Sequence, residues 1–383
     1  MNKSRGVILQ VIVFTCLLLP ISFSFAHEVR VRIIEEASSL NLIINGVYKI
    51  QDADTQKVLS QGKNLNTTVT VGKNNILIGN TRSPARKVYI KPVDTDALAI
   101  NGRKFKGSIE FLKKDNGCFA VINFVELEEY IKGVLFHESS HYWPQEALKA
   151  QSIVCRTFAL SQVQENVKND YDVTSDIYSQ MYGGSTSERY RTNRAVEETE
   201  GQVITYQGKI FPAYYHATCA GHTENAAVLW NTHIPPLEGV ACDFCKGSPH
   251  YRWHLVLSES TLREKLAQRG YTFKKIHTIA CAGKDNSGRI SEVAIRGGEK
   301  GVVLSGKDFR NALGPNLIKS LQFEVSSAGS DFVFEGLGWG HGVGFCQWGA
   351  YFMAKEGRSY QEILAYYYPG AVVSPRAHKN ETR

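Results

Sequence analysis

Two hydrophobic periods divide this chain. From Val29 to about Lys114, apolar and β-branched residues recur at every second position in short runs: VRVRII, LNLIING, VYKIQD, TTVTVG and KVYIKPV. Asn, Gly, Asp and Ser separate the runs, which predicts strands joined by turns. Near Leu127 the period lengthens. In LEEYIKGVLFHES, Leu127, Ile131, Val134 and Leu135 share one helical face. Trp143-Pro144 interrupts, with Pro144 suited to the first position of a new helix, and residues 145 to about 164 carry an Ala/Leu/Gln/Lys-rich helical stripe. A polar loop over 171–189 and a helix over 190–199 follow. The two-residue period then returns over 201–335 with two short helices, TLREKLAQRG and KDFRNALG, embedded in it. A glycine-rich stretch, GLGWGHGVGFCQWGA, and a closing helix over SYQEILAYYYPG complete the pattern. Helices and strands are segregated rather than alternating, so the predicted class is α+β, a helical catalytic core combined with β-rich subdomains.

The first 26 residues fit neither period. Lys3 and Arg5 precede an apolar run that ends in Ser24-Phe25-Ala26, the layout of a secretory signal peptide with a small-x-small cleavage site. If retained, the run would be close to long enough for an anchor. The expected organisation is a signal peptide over 1–26, a β-rich subdomain over 27–114, a catalytic domain over 115–375 and a disordered tail over 376–383. The product is expected to be exported to the periplasm or cell envelope, touching a membrane only if the first segment stays attached. Loss of Lys3 and Arg5 lowers the formal charge from +7 to +5. That mild excess suits an anionic polymer or an ordinary solvated surface, and no dense basic run argues for nucleic acid.

Candidate chemistry concentrates in His137-Glu138-Ser139-Ser140-His141, which matches H-E-x-x-H, the zinc-protease signature. Two histidines one helical turn apart would bind zinc and Glu138 would activate the metal-bound water. Trp143-Pro144 breaks the helix just past His141, and no third ligand stands out downstream.

A longer pattern runs through the same residues. NGRKFKGSIEF, CFAVINFVELEEYIKGVL, ESSHYWPQEALKAQSIVCRTFALSQ, YDVTSDIYSQMYGG, AVEETEGQVITYQGKIFPAYYHATCAGHTE and GLGWGHGVGFCQWGAYFMAKEGRSYQEILAYYYPGA span roughly residues 100 to 371. Together they resemble the SpoIID family of peptidoglycan lytic transglycosylases. The resemblance implies cleavage between N-acetylmuramic acid and N-acetylglucosamine in glycan strands, with a 1,6-anhydro product. It implies Glu138 as the acid/base, with Arg156 of the R-T motif orienting it or contacting substrate. Gln180, Tyr182 and Gly183, with His341, Gly342 and Gln347, match two family loops expected to line the cleft, and Tyr142 is expected beside them. Trp339 and Trp348 offer stacking faces. The related amidase-enhancer proteins supply a non-catalytic alternative, a wall-binding module that works with other cell-wall hydrolases. The chain departs from the family's usual Ser-Glu-Met-Pro at the catalytic position and carries Cys346 where a small residue is common. A Cys346/His341 thiol dyad lacks an orienting third group.

Glu138 can be understood without the resemblance. A single carboxylic acid can protonate a glycosidic oxygen and then serve as base toward the sugar's own 6-hydroxyl, so no second carboxylate is needed to position water. It must be protonated near neutral pH, which requires an apolar wall; Tyr142-Trp143 is the nearest candidate.

Seven cysteines remain after residue 26, an odd number that cannot pair fully within one chain. Cys219-Ala-Gly-His222 and Cys242-Asp-Phe-Cys245 together offer three thiolates and an imidazole, a closed tetrahedral set for structural zinc. The rival is a Cys242–Cys245 or Cys219–Cys242 disulfide in an oxidising compartment. His216 and His250 flank the cluster as substitute ligands.

Overall fold

The computed structural model describes residues 27–93, 98–298 and 300–375. The expected signal peptide and the expected tail lie outside the described residues.

The mixed α+β class is observed. The alternating runs at the start build one eleven-stranded sheet. Val29, Val31 and Ile33 are buried along Glu28–Ala37, while Arg30 and Arg32 point the other way, the period-two signature of a half-buried strand. LNLIING and VYKIQD, expected as two strands, form one, Ser39–Asp52, with a register shift between Ile44 and Val47. Asn45-Gly46 is absorbed as a β-bulge, which keeps Leu42, Ile44, Tyr48 and Ile50 on the core side. The sheet does not stop at residue 114. Phe119–Glu126 lies in it between Glu28–Ala37 and Ser108–Lys113, and delivers the chain directly into the first helix.

Eight α-helices occur among the described residues: α1 (Leu127–Glu138), α2 (Gln145–Glu165), α3 (Tyr190–Glu198), α4 (Ala226–Trp230), α5 (Glu259–Ala267), α6 (Gly306–Leu313), α7 (Gln347–Lys355) and α8 (Tyr360–Tyr367). The Glu126 carboxylate caps α1 by accepting from the Glu128 and Glu129 amides at 2.9 and 3.1 Å. α1 ends at Glu138, because Ser139 is already extended. α2 starts just after Pro144 and is buried along nearly its whole length, packing against α1, α3, α7 and α8. α7 was not anticipated, since its residues read as the tail of the glycine-rich run.

Residues 252–337 form an outer lobe. The strands Arg252–Ser258, Asp331–Leu337 and Phe323–Ala328 make one sheet, and Thr278–Lys284, Ile290–Gly297 and Lys300–Ser305 make another. α5 and α6 cover them, and Trp253, Phe309, Phe323 and Phe334 fill a core of the lobe's own. Arg252 pairs with Leu337, so the chain enters and leaves the lobe on neighbouring strands. Arg289 ties the lobe back to the body by donating to the carbonyls of Cys219 and His222 at 2.9 and 3.0 Å.

Candidate active site and a four-thiol cluster

The body and the outer lobe face each other across a cleft of about 920 Å³. Glu138 lines it, placed there because α1 ends at that residue. The Met181 amide donates to its Oε1 at 2.9 Å, and the Tyr215 and Gln347 side chains lie near enough to favour the charged carboxyl. Gln347 Nε2 holds the Glu138 main-chain carbonyl as well, at 2.9 Å. Burial raises the carboxyl above its ordinary range, and the three donors pull it part of the way back. The apolar surroundings come from Ile177, Met181, Tyr214 and Tyr215. The expected wall of Tyr142 and Trp143 is elsewhere: Tyr142 is 80% exposed, and Trp143 is buried against Trp348 and Tyr351.

Glu138 is supported from behind by buried polar groups. Gln180 accepts from the Tyr130 hydroxyl at 3.0 Å and donates to the Tyr215 hydroxyl at 3.3 Å. Gln180 therefore positions Tyr215 and does not line the cleft. Tyr182 is buried, its hydroxyl donating to Asn123 and its ring packed on Tyr130. At Gly183 a Cβ would collide with Ser187 and His137, so its place is explained by packing. Gly342, at φ +89°, lies against the Arg289 guanidinium for the same reason. Of the residues expected to meet substrate, His341 and Gln347 line the cleft, whereas Tyr142, Gln180, Tyr182, Gly183 and Gly342 do not. Trp339 lines it too, while Trp348 packs among aromatic neighbours.

Arg156 does not reach Glu138. It is fully buried and forks onto Glu128 at 2.8 and 2.6 Å, with further bonds to the carbonyls of Gln202 and Val196. It locks the start of α1 to α2 and α3, a structural ion pair in place of the expected catalytic contact. His341 is held neutral: burial pushes its imidazole down to about 3, and its Nδ1 accepts from the Val343 amide. His216 lines the cleft beside it, with Nδ1 bonded to the Val343 carbonyl at 3.1 Å.

The H-E-x-x-H geometry is broken. His141 lies beyond the end of α1, so the two histidines do not share a helical face. His137 bonds Ser187 at 2.6 Å, and His141 stacks between Phe136 and Tyr142.

Three of the four residues expected in the cysteine cluster come together in space. The sulfurs of Cys219, Cys242, Cys245 and Cys346, all buried, lie within 4.8 Å of one another. His222 is outside the set. The strand Gly221–His222 pairs with Ala241–Cys242 so that Gly221 stands opposite Cys242 and His222 opposite Ala241. Alternation thus sends the imidazole to the other face, where it bonds the Thr223 carbonyl at 2.6 Å. Cys346 takes the fourth place because Phe345–Cys346 pairs in parallel with Tyr215–His216. The amides of Cys219 and Gly349 donate to the Cys346 sulfur at 3.3 and 3.4 Å. All four cysteines are free thiols, so neither expected disulfide is formed. Four thiolates at this separation match a tetrahedral ion, whose ligand sulfurs stand about 3.8 Å apart for a bond of about 2.3 Å. His216 and His250 do not join the cluster.

Sequence missed Tyr215, which holds the carboxyl, and the cleft-lining Tyr214 and Trp230. The Tyr214-Tyr215-His216 run beside a cysteine hairpin was the available signal.

The profile of SpoIID, described as stage II sporulation protein, matches residues 115–206, which hold Glu138. A domain of unknown function, DUF8618, matches residues 243–344, which include the whole outer lobe. The chain is 32% identical over 351 residues to an uncharacterized protein of Brachyspira hyodysenteriae, covering 91% of this chain and 94% of the relative. It is 30% identical over 307 residues to stage II sporulation protein D of Bacillus subtilis, covering 74% and 86%. An amidase enhancer of Bacillus subtilis is 26% identical over 370 residues, covering 82% of this chain and 50% of the relative. The chain belongs to the SpoIID family.

Proposed function

We propose that this protein is an exported lytic transglycosylase of the cell envelope that cleaves peptidoglycan glycan strands. The observation that carries the reading is a lone, buried, donor-supported carboxyl, Glu138, set in a large cleft lined with aromatic and polar groups. The other acid lining the cleft, Asp308, is exposed and engaged with Ser305 at a helix start.

In the proposed reaction Glu138 gives its proton to the oxygen between N-acetylmuramic acid and N-acetylglucosamine, and the C1–O bond breaks. The resulting carboxylate, stabilised by Met181, Tyr215 and Gln347, faces the oxocarbenium-like sugar. It then removes the proton of the same sugar's 6-hydroxyl as that oxygen bonds to C1. Glu138 ends protonated, a 1,6-anhydro ring is formed, and no water is added.

The four sulfurs fit structural zinc, which would close the cluster and leave no position for water. Two segments that hold Glu138 run directly into the cluster: Tyr215 lies four residues before Cys219, and Gln347 follows Cys346. Bound metal would therefore fix both donors. Peptidoglycan is the proposed partner, along with other wall hydrolases, as the amidase-enhancer relative suggests.

Incubation of peptide-free strands with the protein, followed by mass spectrometry, should yield anhydro products one water lighter than hydrolysis products. A His137→Ala/His141→Ala variant should retain them and Glu138→Gln should lose them. Intact strands throughout, with binding preserved, would replace cleavage by an enhancer-like binding role.

A further inference from the structure

Part of the cleft wall belongs to the outer lobe, and it carries three cations and one carboxylate, Asp308, which is bonded to Ser305. Arg269 follows α5, while Lys307 and Arg310 lie on α6, and all three line the cleft. Arg310 is the informative one. Its guanidinium is half-buried, and its Nε and a terminal nitrogen donate to the carbonyls of Ile318 and Lys319 at 2.9 and 3.3 Å. Those carbonyls orient the fork without neutralising it. Burial lowers Arg310 to about 10, with no carboxylate acting in the opposite direction. The same guanidinium lies near enough to His341, on the body side, to disfavour a charge there. Lys307 donates to the Leu229 carbonyl of the body at 3.2 Å, so it stands where lobe and body meet. None of the three forms an ion pair with a carboxylate among the described residues; elsewhere Arg30, Lys106, Lys149 and Arg156 all do. A partly desolvated, preoriented guanidinium without a counter-charge is suited to an anionic ligand group, and its planar fork matches a carboxylate.

We propose that Arg310, assisted by Arg269 and Lys307, forms a carboxylate-binding subsite on the outer lobe, which recognises an acidic substituent of the glycan bound against Glu138. The inference rests on the glycan reading above and deepens it. In wall glycan the carboxylate can be the lactyl group of muramic acid, free where no peptide is attached, or one borne by a stem peptide. Either gives the outer lobe a selective role: it would favour acidic strands over neutral polymers of the same sugars.

The test measures binding rather than cleavage, using the full chain with Glu138→Gln. Calorimetry compares peptide-free strands, the same strands with lactyl carboxylates converted to methylamides, and strands retaining stem peptides. Peptide-free or peptide-bearing strands should bind about tenfold tighter than the methylamide strands. Adding Arg269→Gln/Lys307→Gln should remove most of that advantage, with a smaller fall in methylamide affinity. Both side chains are exposed, so this double variant is expected to fold. Arg310→Gln should abolish the advantage and Arg310→Lys should keep part of it, with melting curves checking the lobe. If only peptide-free strands show the advantage, the lactyl group is the ligand; if peptide-bearing strands show it, the peptide supplies the carboxylate. Equal affinity for acidic and methylamide strands, or equal losses on both in the variants, overturns the proposal. A charge-dependent result with a wild type that cuts nothing leaves the subsite standing and removes the transglycosylase reading instead.

Discussion

Glu138 and the four-thiol cluster are both ionisable sites withdrawn from water, with opposite electrostatic solutions. At Glu138 one acid sits among neutral donors, and burial raises its carboxyl above the ordinary range against their pull. At the cluster four acids crowd within 4.8 Å, and burial pushes the Cys346 thiol well above its usual value. Ionising all four requires a cation. One site is thus a single acid among neutral donors, and the other is four acids close enough together to hold a cation. They are joined through the paired strands Tyr215–His216 and Phe345–Cys346, so the rigidity of the second supports the geometry of the first.

The largest expected effect is at Glu138. Glu138→Gln should reduce glycan cleavage by about 10³-fold, measured from anhydro-product formation. Its folding stability should hold or rise at neutral pH. The folded-state carboxyl titrates above its unfolded value, so its contribution to stability is lost as pH rises through the raised pKa, and the amide removes that loss.

The metal side comes next. Cys346→Ser should lower bound metal below one per chain and reduce Tm by about 10 °C, whereas His222→Ala should change neither. Metal analysis with melting curves distinguishes them, and the reverse result would restore the Cys₃His set.

A third buried site tests the rule between these extremes. Glu224 shares its surroundings with Asp285, Ser287 and Arg289 where the outer lobe meets the cysteine hairpin. Burial and the neighbouring Asp285 raise Glu224 to about 7. Its contribution is full below about 4.5 and is lost as pH climbs through about 7, amounting to at most about 3 kcal/mol. Glu224→Gln should flatten the fall in denaturant-measured stability between roughly pH 5 and 8.

The smallest effect concerns tuning. Tyr215 favours the ionised form of Glu138, so Tyr215→Phe should raise the carboxyl further. The alkaline limb of the cleavage profile should move up, because the acid stays protonated longer. A downward shift would mean that Tyr215 serves another purpose.

Legibility followed the range of the interactions involved. α2 and α3 were readable because their apolar spacing and breakers are local. Glu138 stood out as a candidate because the motifs around it are contiguous in the chain. The bulge at Asn45-Gly46 was misread as a turn between two strands, since a turn and a bulge use the same residues. α7 was hidden by the glycines before it. Arg156 was assigned to Glu138 on the strength of a shared motif, but the helix packing gives it to Glu128. The cysteine spacing identified a cluster and misassigned one member: C-x-x-H looks like a ligand pair until strand alternation turns the imidazole away.

The sequence by itself determined the α+β class, the helix that ends on Glu138, the family blocks around it and the presence of three cluster thiols, because each depends on residues close together in the chain. Only the tertiary structure decided that Cys346 completes the cluster, that Tyr215 and Gln347 act on the carboxyl, and that Arg269, Lys307 and Arg310 line the same cleft. Those facts join residues about 80 to 210 positions apart, and pairing across such separations is set by how sheets and helices pack, not by any local period.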